Sequence, residues 1–232
     1  MIERKAFDEL AGEDIGWLTV RRHFRSTAKG VLSGAAWGCV QVWNDEEIAP
    51  SAGLPMQFHA NIEIIIYVRE GTVTHRDNLG NEGRIEAGSV QVVSAGTGIR
   101  HAEYNLEHLP ARIFQIWVTP TSRGGSPAWG IQPCPNAEHP GCFVAIASGF
   151  NDDHDALPIR ACARVLNAKL KSGESVEYVL GEPQLAYLVP SSGVVDVNGV
   201  RIYGRDGAAI QGVGIITIAA IEDTDVFMID VL

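Results

Sequence analysis

The stretch LPMQFHANIEIIIYV, Leu54 to Val68, carries polar residues at four consecutive odd positions, Gln57, His59, Asn61 and Glu63. Side chains of an extended chain alternate faces, so these four would share one face while Phe58, Ile62, Ile64 and Ile66 take the other. Ile65 and Tyr67 continue the polar face as apolar residues, so the pattern reads as a pocket wall rather than a solvated surface. A second stretch, SAGTGIRHAEYN, places His101, Glu103 and Asn105 at the same spacing. Two such strands side by side would bring four donors onto one metal ion. Imidazole and carboxylate donors suit Fe, Zn, Ni or Mn, and the lack of thiolates argues against a soft-metal or iron–sulfur site. Four protein ligands on an octahedral ion would leave two positions for substrate or dioxygen, a catalytic layout.

His59 or His101 alone would read as an ordinary polar residue near a strand end; their joint spacing with a carboxylate is the signal. His75, in THRDN beside a hairpin turn, and His23, His108 and His154, in charged or loop-like contexts, read as structural. Cys134, His139 and Cys142 in CPNAEHPGC match no common zinc spacing, and the stretch reads as a Pro-rich connection.

The elements around these residues are short Val/Ile-rich runs, GCVQVW, IEIIIYV, GTVTHR, SVQVVSA and ARIFQIWV, separated by turns such as DNLGNEG. That pattern predicts an all-β sandwich or barrel. A Pro/Gly-rich segment follows, and then a second β-rich run to the end. The expected organisation is an N-terminal domain over residues 1–120, a linker over 121–142 and a C-terminal domain over 143–232. The two halves read as repeats. Setting Gly71 against Gly193 places Val179, Gly181 and Leu185 opposite Gln57, His59 and Glu63. Setting Gly88 against Gly207 places Ala220 and Glu222 opposite His101 and Glu103. Chemistry is therefore expected in the N-terminal half.

Composition narrows the partners. The chain has 18 basic and 28 acidic residues, a net charge of -10, which argues against direct binding of nucleic acid or an anionic membrane. The first residues lack a signal-peptide core, and no apolar run reaches the roughly 18 residues of a membrane span, so a cytoplasmic location is expected. The four scattered cysteines suggest reduced thiols.

Taken together, GLPMQFHANIEIIIYVREGTVTHRDNLGNEGRIEAGSVQVVSAGTGIRHAEYN, with the WNDEEI segment before it, resembles the N-terminal cupin signature of the pirin family, especially its bacterial quercetin dioxygenases. The resemblance implies a bicupin, two double-stranded β-helix barrels, with one divalent transition metal (Fe, Ni, Zn, Mn or Cu) in the N-terminal barrel. The family's His-x-His pair falls on Gln57 and His59, its later His on His101 and its metal-binding Glu on Glu103, with Asn61 and Glu63 expected behind them. Where the family reads HPHR this chain reads QFHA, so an imidazole becomes an amide, a weaker and non-titrating donor.

The resemblance implies a dioxygenase in which the metal chelates the 3-hydroxyl and 4-keto oxygens of a flavonol and Glu103 takes the hydroxyl proton, with dioxygen as co-substrate. A non-enzymatic regulatory protein that binds metal or ligand is the alternative. A cupin-type sugar isomerase, suggested by the Gln-x-His pair alone, ranks third because Arg100 is the one basic residue near the site.

Overall fold

The computed structural model describes residues 1–25, 37–135, 139–181 and 183–231. Among the described residues its elements are almost all β-strands, with a short 3₁₀ turn at Phe7–Glu9, and they divide into two compact units. The first strand, β1 (Ile2–Lys5), belongs to the second unit. The first unit, Ala11–Cys134 with Leu157–Ala161, contains β2 (Ala11–Asp14), β3 (Leu18–Arg25), β4 (Val40–Ile48), β5 (Ala52–His59), β6 (Glu63–Glu70), β7 (Thr72–Asp77), β8 (Glu82–Glu86), β9 (Ser89–Ser94), β10 (Ile99–Asn105), β11 (Ala111–Val118) and β12 (Ala128–Pro133). One sheet runs β12-β9-β6-β11-β4-β3-β2 and the other β5-β10-β7-β8.

β6 shows why an almost unbroken apolar run forms here. It lies between β9 and β11 and is buried on both faces. Ile64, Ile66 and Val68 enter the barrel core beside Val73, Ile85, Val93 and Ile113, each fully buried side chain contributing about 1.5–3 kcal/mol. Ile65 and Tyr67 occupy the opposite face.

The second unit, Met1–Leu10, Pro135–Ala156 and Cys162–Leu232, repeats the plan. After β13 (Val144–Ser148) and β14 (Leu157–Pro158), the latter within the first unit's segment, come β15 (Ala163–Leu170), β16 (Ser175–Val179), β17 (Leu185–Pro190), β18 (Val194–Val197), β19 (Val200–Tyr203), β20 (Gly207–Gln211), β21 (Ile215–Ala220) and β22 (Thr224–Val231). The order β16-β21-β18-β19 reproduces β5-β10-β7-β8, and β20-β17-β22-β15-β13 reproduces β9-β6-β11-β4-β3. The all-β, two-barrel expectation agrees with this architecture.

The expected boundaries differ in two places. β1 pairs with β20, Ile2 opposite Ile210, so the first ten residues join the C-terminal barrel. The segment read as a linker contains β12, which pairs with β9 along its length, Trp129 opposite Val93. Each added strand covers a sheet edge that would otherwise present unpaired backbone. Residues 136–138 of that segment lie outside the described residues.

Strand pairing also corrects the register of the repeat. Gly71 and Gly193 both have positive φ, which makes His75 equivalent to Val197. Because His75 faces Glu103 and Val197 faces Ile218, the equivalent of Glu103 is Ile218, not Glu222. His101 faces Gln57 as Ile216 faces Tyr178. Ile216 thus replaces Ala220, while Tyr178 and Leu180 replace Val179 and Gly181. Different loop lengths in the two halves cause the shifts. Leu180, Val197, Ile216 and Ile218 are all buried in the second core. A chain with one donor-lined barrel and one packed with aliphatic side chains is expected to hold at most one tightly bound ion, measured as a metal-to-protein ratio by elemental analysis of the dialysed protein; a ratio of two would contradict it.

Candidate metal centre

β10 is the central element. It is flanked on one side by β5, with His59 opposite Ile99 and Gln57 opposite His101, and on the other by β7, with Asp77 opposite His101 and His75 opposite Glu103. Directly paired residues share a face, so Gln57, His59, His75, Asp77, His101 and Glu103 come from three neighbouring strands to one side of the sheet. Between His101 and Glu103 the β5 ladder slips by one residue, at Pro55–Met56; a bulge on an edge strand is a position that tolerates proline. The slip brings Leu54 opposite Glu103.

Gln57, His59, His101 and Glu103 line a cavity of about 20 Å³ closed by Leu54, Pro55, Gln115 and Trp117. That is room for one ion or one water. The His59 and His101 rings lie 4.9 Å apart between centroids. The donor atoms of His75, His101 and Glu103 all lie within 4.8 Å of one another. Glu103 and His101 are buried, whereas Gln57 is exposed at the rim.

Asn61 and Glu63 take other roles. The strand expected to run through them is broken between His59 and Glu63. Asn61 adopts the left-handed backbone, φ 53°, which Asn tolerates. Its N–H donates to the Gly96 carbonyl and its Oδ1 accepts from the Gly124 N–H, each at 2.8 Å. The break resets the alternation, so Glu63 shares a face with Ile65 and Tyr67, away from the barrel core, and accepts from Ser94 Oγ at 2.5 Å. Asn105 is likewise structural, donating to the carbonyls of Ile48 and Leu109.

His75, beside a hairpin turn in the sequence, lies within β7 and belongs to the cluster. Its Nε2 lies 3.3 Å from Asp77 Oδ2, its ring stacks on Trp129 at 5.0 Å and its edge meets His101 at 5.4 Å. The signal was available: His75 and Asp77 repeat the period-two spacing of His101 and Glu103. Gln91, whose Nε2 donates to Glu103 Oε1 at 2.9 Å, interrupts an otherwise valine-rich buried strand. Trp129 carried no comparable signal.

The electrostatics suit a cation. Burial, reinforced by Glu46, pushes the Glu103 carboxyl up to about 8, and burial pushes Glu46 up to about 7. Burial lowers His59 and His75, and burial together with charge on His59 and His75 pushes His101 down to about 3. Each shift disfavours the charged form. Neutral imidazoles keep lone pairs for a metal, and His75 Nδ1 and His101 Nδ1 are buried without hydrogen-bond partners among the described residues. Nitrogen and oxygen donors, one anionic, fit a divalent first-row ion.

Residues 13–118 match the family described as Pirin, and residues 145–231 match the quercetinase C-terminal cupin domain. A pirin-like protein of Caulobacter vibrioides is 55% identical over 99% of both chains. The chain belongs to the pirin family. A quercetin 2,3-dioxygenase of Escherichia coli is 30% identical over 99% of this chain and 98% of its own. The crystal structure of the Escherichia coli pirin YhhW in complex with nickel(II) superposes with a TM-score of 0.91 at 28% identity, covering 100% of this chain and 99% of that one. Among the described residues, no helix is long and apolar enough to cross a membrane.

Two outcomes follow from this pirin site. A carboxyl raised from the ordinary range near 4.5 to about 8 binds more protons folded than unfolded, so its contribution to stability is lost as pH rises through that interval. His101, held near 3, acts oppositely, but only up to its unfolded value near 6.5. The melting temperature of the metal-free protein is therefore expected to fall by several °C between pH 6.5 and 8.5, at roughly 2–4 °C for each kcal/mol, and added Ni²⁺ should abolish the fall; a flat profile without metal contradicts it. In chelator competition, His59→Ala and His101→Ala should each remove most metal affinity. His75→Ala should weaken it about tenfold, as loss of a ligand's support does, and His108→Ala, at an exposed loop position, should leave it unchanged.

Proposed function

We propose that this protein is a metal-dependent dioxygenase of the quercetinase type, acting on a flavonol-like aromatic. The observation that carries the reading is the convergence of Gln57, His59, His101 and Glu103 on one cavity, and it is supported by the dioxygenase named among the relatives. A divalent ion held by these four residues would supply Lewis acidity to the vicinal hydroxyl and keto oxygens of the substrate. Glu103 takes the hydroxyl proton on a carboxylate oxygen. The Trp117 indole N–H is buried without a hydrogen-bond partner among the described residues and stands ready to donate to a substrate oxygen. Dioxygen then enters the ring, which opens with loss of carbon monoxide.

A cavity of about 20 Å³ is far below the roughly 300 Å³ of an ordinary small-molecule site. A flavonol is admitted only if the rim moves. β5 supplies that rim, an edge strand with Pro55, Met56, Gln57 and Phe58 exposed. The cavity's size also favours the second reading, a regulatory protein that holds metal without turnover. The sugar isomerase ranks last: Arg100 is exposed and lies over the Phe58 ring at 5.6 Å, and it is not part of the cavity wall.

Oxygen uptake and carbon monoxide release with quercetin, on metal-loaded protein, separate the first two readings; metal binding without either leaves the regulatory one. Gln57→His replaces an amide with an imidazole, a stronger ligand for late first-row ions. It is expected to tighten Ni²⁺ binding about tenfold, or ~1.4 kcal/mol, and to raise flavonol turnover. Weaker binding in this variant would mean that Gln57 does not face the ion.

A further inference from the structure

The Glu103 carboxylate is held from behind by a chain with only one consistent direction. An indole N–H can donate but not accept, and Trp129 Nε1 donates to Gln91 Oε1 at 2.9 Å. The Gln91 amide is thereby oriented, with its NH₂ turned to Glu103 Oε1 at 2.9 Å. Glu103 Oε1 must accept that bond, which makes Oε2 the less encumbered oxygen for an ion. The same indole ring lies flat on His75, with 17° between the planes, and His75 meets His101 edge-on. One residue of β12 therefore backs both the carboxylate and one imidazole of the site.

The packing around Trp129 is specific to that ring. Gly83 faces His75 in the β7–β8 ladder, and a Cβ at Gly83 would come within 2.7 Å of Trp129 Cη2. Absence of a side chain at Gly83 is what lets the indole reach His75. β12 itself is pinned by its full pairing with β9, the strand that carries Gln91.

We infer that Trp129 is a positioning residue of the metal centre, acting through Gln91 to present Glu103 to the ion with one oxygen. This rests on the reading that Glu103 binds metal. Trp129→Phe keeps an aromatic ring against His75 and removes the N–H together with part of the indole, and Gln91→Met keeps the length of the side chain and removes the donor without placing another carboxyl beside Glu103. Both variants and the unchanged protein are titrated with Co²⁺, alone and against a chelator, and the visible absorption of the cobalt form is recorded. Freed from Gln91, Glu103 turns and offers both oxygens, which raises the coordination number and lowers the intensity of the cobalt bands.

The expected result is a loss of Co²⁺ affinity of about threefold for Trp129→Phe and at least tenfold for Gln91→Met, in line with losses for groups behind a ligand. Both variants should show the altered spectrum, and that spectrum, not the melting temperature of the metal-free form, is the deciding readout, because both substitutions also remove packing. An affinity and spectrum unchanged in both variants would overturn the inference while leaving the metal site intact. Weakened binding with the parent's spectrum would also overturn it, since a merely structural role does that. If Glu103→Ala binds Co²⁺ like the parent, the metal reading fails and this inference fails with it.

Discussion

The first barrel keeps a carboxyl and three imidazoles in an interior where none carries charge cheaply. Removing an ionised group from water costs several kcal/mol unless an opposite charge or a full set of hydrogen bonds compensates. Among the described residues Glu103 has one hydrogen bond, from Gln91, and its electrostatic neighbour is a second acid, Glu46. A divalent ion resolves the conflict at a single point, giving the carboxylate its counter-charge and the imidazole lone pairs their acceptor. Without it, neutrality is kept by holding Glu103 protonated and His101 deprotonated.

The second barrel shows what the fold does when that constraint is lifted. At the positions of His59, His75, His101 and Glu103 stand Leu180, Val197, Ile216 and Ile218, which complete an aliphatic core. The polar face of the first barrel is therefore not a requirement of the architecture. Buried polar groups that a fold does not need usually mark function. Tyr178, equivalent to Gln57, keeps a polar tip at the mouth, and its hydroxyl donates to Asp230 at 2.6 Å.

Strand content, the two-barrel plan and the pairing of His101 with Glu103 were legible because period-two alternation and β-branched runs are local properties. What escaped depended on distant partners. Asn61 broke the strand through hydrogen bonds to Gly96 and Gly124, and a break of three residues was enough to turn Glu63 to the opposite face. β1 and β12 are short segments whose strand character comes from the edges of β20 and β9, not from their own residues; SPAWGIQP alone reads as loop. His75 was set aside because it stood alone near a turn, although its pairing with Glu103 puts it at the heart of the cluster.

The departure at Gln57 falls where the structure gives least support. His101 and Glu103 sit on a strand hydrogen-bonded on both sides, and their register is fixed by two ladders. Gln57 and His59 sit on β5, an edge strand with one ladder, a bulge at Pro55–Met56 and an outward surface of exposed side chains. A ligand changed on β10 would leave an uncompensated polar group in the barrel core. A change at Gln57 lies at a rim already open to water, where an amide can be solvated. The four candidate donors are thus unequal by construction: His101 and Glu103 are dictated by the interior of the barrel, Gln57 stands at a margin whose chemistry can vary without unfolding what lies behind it, and the half-buried His59 lies between.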